Sequence, residues 1–586
     1  MVPTKTILPY KPPLTNFVLG FLAGVSLAVQ AAQEVQTFCN PLDLDYRFQL
    51  TKPSRREAAD PLVVLYHNEY WIFASKSGGY WHSPDFKNWI YAATTNLPIE
   101  DYSPAAAVIG GQLYYTAFNT RAIYRADDPG AGTWSKVGDL KPYRDPDLFQ
   151  DDDGRVYVYY GCGPGGGINV VELDPATGFK EIGQPVSCLK CDEQQRGWEV
   201  RGEENNGGMW QGKITEVPWV EGAWMTRHDG KYYLQYAAPG AQFRSYADGV
   251  FAGDTPAGPF TYAPYSPFSH KPTGFAAGAG HGGTFQDKLG HWWHITTMTI
   301  SARHQFERRL GVYPVNFLPD GQMVCDTRLG DYPQWLPGTK ESAAGKNATG
   351  WMLLSYGKKA EASSTRDGFP VANAFDENIR TWWCARSGKA NEWLKVDLGK
   401  ICRLNAMQIN FADEGSQALG KLRDDPYQYV IEVSPDGSKW EKILDRSGNH
   451  GDSPHDYAQL EQPVKARYAR LVNVHCPAGT LFSVSGFRIF GSGLGRPPAA
   501  VMTVAVRPNP ADARKATVSW TPGKGAEFYI VRYGIAPDRM FNNYQIYQGT
   551  TANINALNRN TSYYFTVDAV NGSGVTETRT ITRLNP

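Results

Sequence analysis

One pattern recurs along the first half of the chain: a turn built on Gly, Asp or Asn, followed by a short strand rich in aromatic residues. The copies are HNEYWIFAS, GGQLYYTAF, DGRVYVYYG, DGKYYLQYA and LGHWWHITT. Their fifth residues, Trp71, Tyr114, Tyr157, Tyr233 and Trp293, lie 43, 43, 76 and 60 residues apart. Periods of about 40 or more with several strands in each suit the blades of a β-propeller, the longer ones carrying loop insertions. A long β-sandwich does not explain the repeat, and a β-helix needs shorter rungs. The copies therefore predict five blades. The 17 Trp, 33 Tyr and 26 Phe, set among 60 Gly and 40 Pro, suit short strands and tight turns and exclude a disordered chain. The 58 basic residues balance 58 acidic ones, which argues against nucleic acid or an anionic membrane as the main partner.

Eleven or twelve residues before each aligned aromatic stand Asp60, Ser103, Asp145, Glu221 and His281, each followed by Pro or Gly. In a radial repeat equivalent positions converge on the axis, so three carboxylates and an imidazole are expected at one mouth of the central channel. Taken singly, an Asp-Pro or a Glu-Gly is turn chemistry. Three acids at matched places point further, because clustered carboxylates repel and are kept where chemistry or a cation uses them. Two carboxylates flanking a sugar bond are the apparatus of glycoside hydrolysis, and a third can tune the acid. The wealth of aromatic rings fits, since flat rings stack on sugar faces.

Residues from about 38 to 335, within a predicted domain at 35–338, resemble family 43 of the glycoside hydrolases, five-bladed propellers that act with inversion on arabinosides, xylosides and related galactosides. The matching text includes ADPLVVLYHNEYWIFAS, YSPAAAVIGGQLYYTAF, RDPDLFQDDDGRVYVYYG, VEGAWMTRHDGKYYLQYA and AGHGGTFQD. The resemblance implies that Asp60 is the general base, Asp145 the modulator of the acid's pKa and Glu221 the general acid. It implies that Arg308, in RRLGVYPVNF, reaches the substrate and that His281 coordinates Ca2+ directly or through water near the channel axis. A hydrogen bond from His281 to a neighbouring carboxylate is the other reading of that residue. The family's usual WAP is here YSP, which makes Tyr102 the platform ring, and its EGP is EGA. An insertion from about Gly163 to Pro218 is expected to rim the pocket. Its Trp198, Trp210 and Trp219 read equally as stacking rings or loop anchors, with Trp210 taken as the substrate ring.

The second half changes character. Residues 350–492, with EWLKVDLGK and SVSGFRIFG, resemble the discoidin or coagulation factor type C sandwich, also used as a family 32 carbohydrate-binding module. Trp382, Trp383 and Trp393 read as core or loop anchors there, and Phe369 and Tyr427 as loop ligand candidates. A linker at 493–498 leads to 499–586, which resembles fibronectin type III, with Trp520 as core ring and Tyr563 placed for a tyrosine corner. That module reads as a spacer or docking unit. The fold expected is thus all-β throughout: a five-bladed β-propeller, a discoidin-type β-sandwich and a fibronectin III β-sandwich.

At the N-terminus, Lys5 and Lys11 precede the apolar run Phe17–Val29 and then Ala31 and Ala32, which reads as a secretory signal peptide over 1–31. An uncleaved anchor is the alternative, but the run is short of the roughly 20 apolar residues that span a bilayer. The eight cysteines are too few to scaffold so long a chain, and Cys188-x-x-Cys191 lacks the second pair that zinc needs, so it reads as a local disulfide or two thiols. Together these features predict an exported inverting glycosidase that acts on oligo- or polysaccharide without an organic cofactor. An α-L-arabinofuranosidase leads, ahead of β-xylosidase or β-galactofuranosidase. A glycan-binding propeller that has lost catalysis is the rival class.

Overall fold

In the computed structural model, which describes residues 36–342, 347–420 and 424–586, regular structure is almost wholly β-strand. The signal-peptide expectation falls on residues 1–31, outside the described ones. Each aromatic repeat forms the second strand of an antiparallel meander. Three meanders are separate four-stranded sheets, beginning with Ala59–Tyr66, Ala105–Ile109 and Asp147–Gln150. Two further runs, beginning with Trp219–His228 and Ala277–Gln286, share a ten-stranded sheet through a single parallel pairing of Ala247 with Ala279. The first strands of these runs pack one against the next in that order, and Ala277–Gln286 returns to Ala59–Tyr66, so that they line a closed ring. Second strands such as Glu69–Ser75 and Trp292–Thr299 are buried along nearly their whole length. Large rings there fill the wedges between sheets, as when Trp293 meets Phe38 edge-on.

The first strands share a local distortion. Asp60, Ser103, Asp145 and His281 have φ between 45° and 50°, a left-handed conformation uncommon for residues with a side chain. Register slips between Ala59 and Leu62 and between Gly280 and Gly283 mark β-bulges at two of these places. In the strand Trp219–His228 the slip lies between Glu221 and Trp224, and the left-handed residue is Gly222, at φ 64°. The sequence alignment that set Glu221 level with Asp60 and His281 is therefore off by one. Gly222 is the equivalent residue, and Glu221 enters from the position before the bulge. Space dictates this, because a Cβ on Gly222 would lie 2.7 Å from His281 Cγ.

Residues 352–492 fold into an eight-stranded sheet system dominated by the long strands Trp393–Phe411 and His455–His475. Tyr427, expected as a loop ligand, is instead buried in the core, its ring stacked 3.9 Å from that of Phe411. Trp383 is buried in the same core, while Trp382 and Phe369 are half-buried, 5.5 Å apart. The C-terminal segment is a two-sheet sandwich, one sheet of three strands and one of five. Trp520 lies in its core, and Tyr563 Oη accepts from Asn558 N at 3.0 Å, closing the expected corner. Among the described residues no disulfide forms, and Cys188 and Cys191 are two thiols.

Buried ions join the three parts. Arg56, wholly buried beneath the propeller, pairs with Asp413 and Asp452 of the second domain at 2.7 Å each. Asp331 meets all three units: Lys271 at 3.3 Å, Gln545 Nε2 at 3.2 Å, and Arg488, which donates to its carbonyl at 2.6 Å.

Candidate active site

Bulges put the sequence-predicted acids at one end of the ring. A pocket of about 420 Å³ opens there, within the roughly 300–1,000 Å³ range of small-ligand sites, and Asp60, Asp145 and Glu221 form its floor. Its walls include Tyr102, Arg308 and Trp210, so every residue singled out as substrate-binding lines it. His281 sits at the acids' centre, with Nδ1 3.4 Å from Asp60 Oδ1 and 3.9 Å from Asp145 Oδ2, and Nε2 3.2 Å from Ser103 Oγ.

The carboxyls are held in opposed electrostatic settings. Burial would raise the pKa of Asp60, but the charges of Arg308 and His281 and a 2.6 Å hydrogen bond from Ser75 outweigh it and hold the group below the usual carboxylate range. Arg308 Nη1 donates to Asp60 at 3.0 Å and Nη2 to Glu57 at 2.8 Å, its fork fixed between two acids. Glu221 moves the other way: burial raises its pKa and the charge of Asp60 adds to the rise, against His281 and a 2.5 Å hydrogen bond from Tyr246. Asp145 is pushed up to about 7 by burial, with the charges of Glu221 and Asp60 adding to it. Asp145, Glu221 and the Cys162 thiol offer oxygen and sulfur atoms within 4.8 Å of one another. Carboxyls this close titrate as a coupled pair. Burial lowers the pKa of His281, yet the three acids around it win and raise it, which favours the imidazolium.

Several supporting residues escaped the sequence reading. Ser75 Oγ, besides holding Asp60, accepts from Ser103 N at 2.6 Å, and Thr297 Oγ1 accepts from Asp60 N at 2.8 Å. Both hydroxyls stand four residues after an aligned aromatic, a signal the repeat contains. Asp248 accepts from His281 N at 2.7 Å and Gly282 N at 3.2 Å, clamping that bulge. Cys162 donates to Glu221 Oε2 at 3.6 Å and accepts from Trp219 Nε1 at 3.2 Å. Of the three insertion tryptophans, Trp198 is wholly buried and is an anchor, whereas Trp210 and Trp219 face the pocket.

A ring of β-sheets with one carboxyl held below the usual carboxylate range, two held above it and an arginine in a single pocket defines a propeller fitted for acid–base chemistry. Comparison with known proteins agrees in class. Residues 53–323 match the family model described as Glycosyl hydrolases family 43, and residues 359–482 match the F5/8 type C domain, so the chain carries both domains. Similar proteins include the Beta-D-galactofuranosidase xynD of Aspergillus niger, 26% identical over 35% of this chain and 64% of that protein. Xylosidase/arabinosidase 43A of Humicola insolens is 30% identical over 28% of this chain and 56% of its own length. The chain thus spans less than two thirds of either relative. A solved glycoside hydrolase, 18% identical, covers 74% of this chain and 97% of its own with a TM-score of 0.43; the architecture rests on the strands described above.

Proposed function

We propose that the protein is an exported, inverting glycoside hydrolase built on a five-bladed propeller, which releases α-L-arabinofuranosyl groups from polysaccharide. The observation that carries this is the opposed setting of Asp60, held down by Arg308, and Glu221, pushed up by burial, in one pocket. Asp60, ionised by Arg308, takes a proton from water as the water oxygen attacks the anomeric carbon. Glu221 gives a proton to the departing glycosidic oxygen, so the C–O bond breaks with no net change of charge. Asp145 keeps the acid's proton in place through like-charge repulsion. Arg308 and Tyr102, half-buried with its ring 5.8 Å from the Arg308 guanidinium, present a polar and a flat face to the sugar. β-Xylosides and β-galactofuranosides are the neighbouring substrates, in keeping with the names the relatives carry.

None of these steps is routed through calcium. Both ring nitrogens of His281 already face protein groups, and a neutral imidazole is an unusual direct ligand for a cation that prefers six to eight oxygens. The ring hydrogen-bonds to Ser103 Oγ, while Asp60 and Asp145 stand at ion-pair distance from Nδ1, which supports a charged partner for the acids. The sandwich at 499–586 reads as fibronectin type III on its two sheets and the Tyr563 corner. A panel of nitrophenyl glycosides, with Glu221→Gln as control, tests the whole: wild type should release arabinose fastest, and the variant should lose activity on aryl glycosides with poor leaving groups. Binding without hydrolysis across the panel would favour a glycan-capturing propeller.

A further inference from the structure

The first part of the expected insertion, through Lys190, supplies the last two strands of the third meander, and only the rest, which carries Trp210, has little structure of its own. Its strands near the pocket, Gly208–Trp210 and Lys213–Thr215, form an isolated two-stranded hairpin, an arrangement marginal without outside support. Trp210 is 36% exposed, so burial does not fix its ring either.

Support comes from the C-terminal sandwich. Gly197 N donates to Leu557 O at 2.9 Å and Arg559 N to Gln195 O at 2.8 Å, a short antiparallel bridge between the insertion and the turn at 555–559. The approach is so close that a Cβ on Gly197 would lie 2.5 Å from Asn555 O and 2.6 Å from Leu557 O. Asn555 Nδ2 donates to Glu204 O at 2.8 Å, and Ala556 is buried in the same apolar cluster as Trp198 and Tyr236 of the propeller. Arg514 donates to Glu193 O and grips the Glu216 carboxylate with both terminal nitrogens, at 3.1 and 3.2 Å. From Glu216 the path to the pocket is one residue long. Its carbonyl accepts from Arg201 N at 3.0 Å, and Arg201 in turn donates to Met209 O at 3.3 Å and lies 5.0 Å from the Trp210 ring.

We propose that the C-terminal sandwich braces the substrate pocket from behind its wall, and that Arg514 is a positioning residue which, through Glu216, fixes the wall formed by Arg201 and Trp210. The proposal rests on the glycosidase reading of that pocket and names what sets its affinity. Arg514 touches no reacting group, so its loss acts on binding and leaves the chemical step alone.

The test uses the full chain with Arg514→Ala, Arg514→Lys and Glu216→Gln, read by hydrogen–deuterium exchange over 199–216 and by kinetics on the best-cleaved nitrophenyl glycoside. Arg514→Ala should speed exchange in that segment while the propeller's inner strands keep theirs. It should raise KM roughly three- to ten-fold, the loss of one charge-assisted hydrogen-bond pair, with kcat within about two-fold. Arg514→Lys, which keeps the charge but not the fork, should fall between. Glu216→Gln should add nothing in the Arg514→Ala background. If Arg514→Ala does not fold, Asn555→Ala removes one contact of the same clamp and should move both readouts in the same direction. Wild-type exchange and KM in a folded Arg514→Ala, with only the melting temperature lowered, would overturn the proposal. A wild type inert towards every glycoside would overturn the hydrolase reading instead, and the exchange measurement would still decide whether Arg514 holds the wall.

Discussion

Asp60 and Glu221 are shifted in opposite directions because Arg308 stands beside one while burial and the charge of Asp60 act on the other, and the groups around Glu221 make two opposite predictions. Asp145→Asn removes a negative charge near Glu221, so the alkaline limb of the kcat/KM profile should move to lower pH. Tyr246→Phe removes a hydrogen bond that favours the Glu221 carboxylate, so the same limb should move to higher pH. Shifts in the same direction would mean that another group sets that limb. His281 carries a third prediction: activity should survive exhaustive chelation, with the same rate before and after added calcium. Asp60 and Asp145 were legible in the sequence because the repeat placed them in register, and Glu221 because it stands one residue before the matched place. Tyr246 and Cys162 were not, since they reach Glu221 from outside the matched positions and follow no period.

The bulge is the element that turns a repeated strand into a catalytic floor. At four of the ring positions a side-chain-bearing residue accepts φ near 50°, and at the fifth Gly222 does so because the His281 ring leaves no room for a Cβ. Gly222→Ala should therefore cost about 1–3 kcal/mol in denaturant-midpoint measurements. By displacing His281 from between the acids it should lower kcat/KM by about 10²-fold. Unchanged stability and activity would show that the ring shifts freely. The strands were legible from their aromatic alternation. The one-residue offset of Glu221 was not, because hairpin loops of unequal length allow spacings of both 11 and 12, and only hydrogen-bond register distinguishes them.

At the scale of the molecule, domain limits showed in the sequence as changes of pattern, whereas the docking of domains left no trace. Its contacts are single side chains hundreds of residues apart, such as Arg56 with Asp413 and Asp452. Arg56→Ala leaves two buried carboxylates without their cation and should destabilise the chain by about 3–5 kcal/mol in chemical denaturation. A loss under about 1 kcal/mol would mean that water replaces the guanidinium there. The modules after the propeller are thus not beads on a string, for one braces the strand leading to Asp60 and the other the rim of its pocket. The account as a whole stands on Asp60 activating water across the sugar from Glu221, which requires their carboxyl groups to lie roughly 6.5–9.5 Å apart and the product to form with its anomeric centre inverted. Proton NMR in the first minutes of hydrolysis, before the freed sugar mutarotates, reads that outcome directly. An α-L-arabinofuranoside should give β-L-arabinofuranose first; α-L-arabinofuranose as the first product would contradict the mechanism.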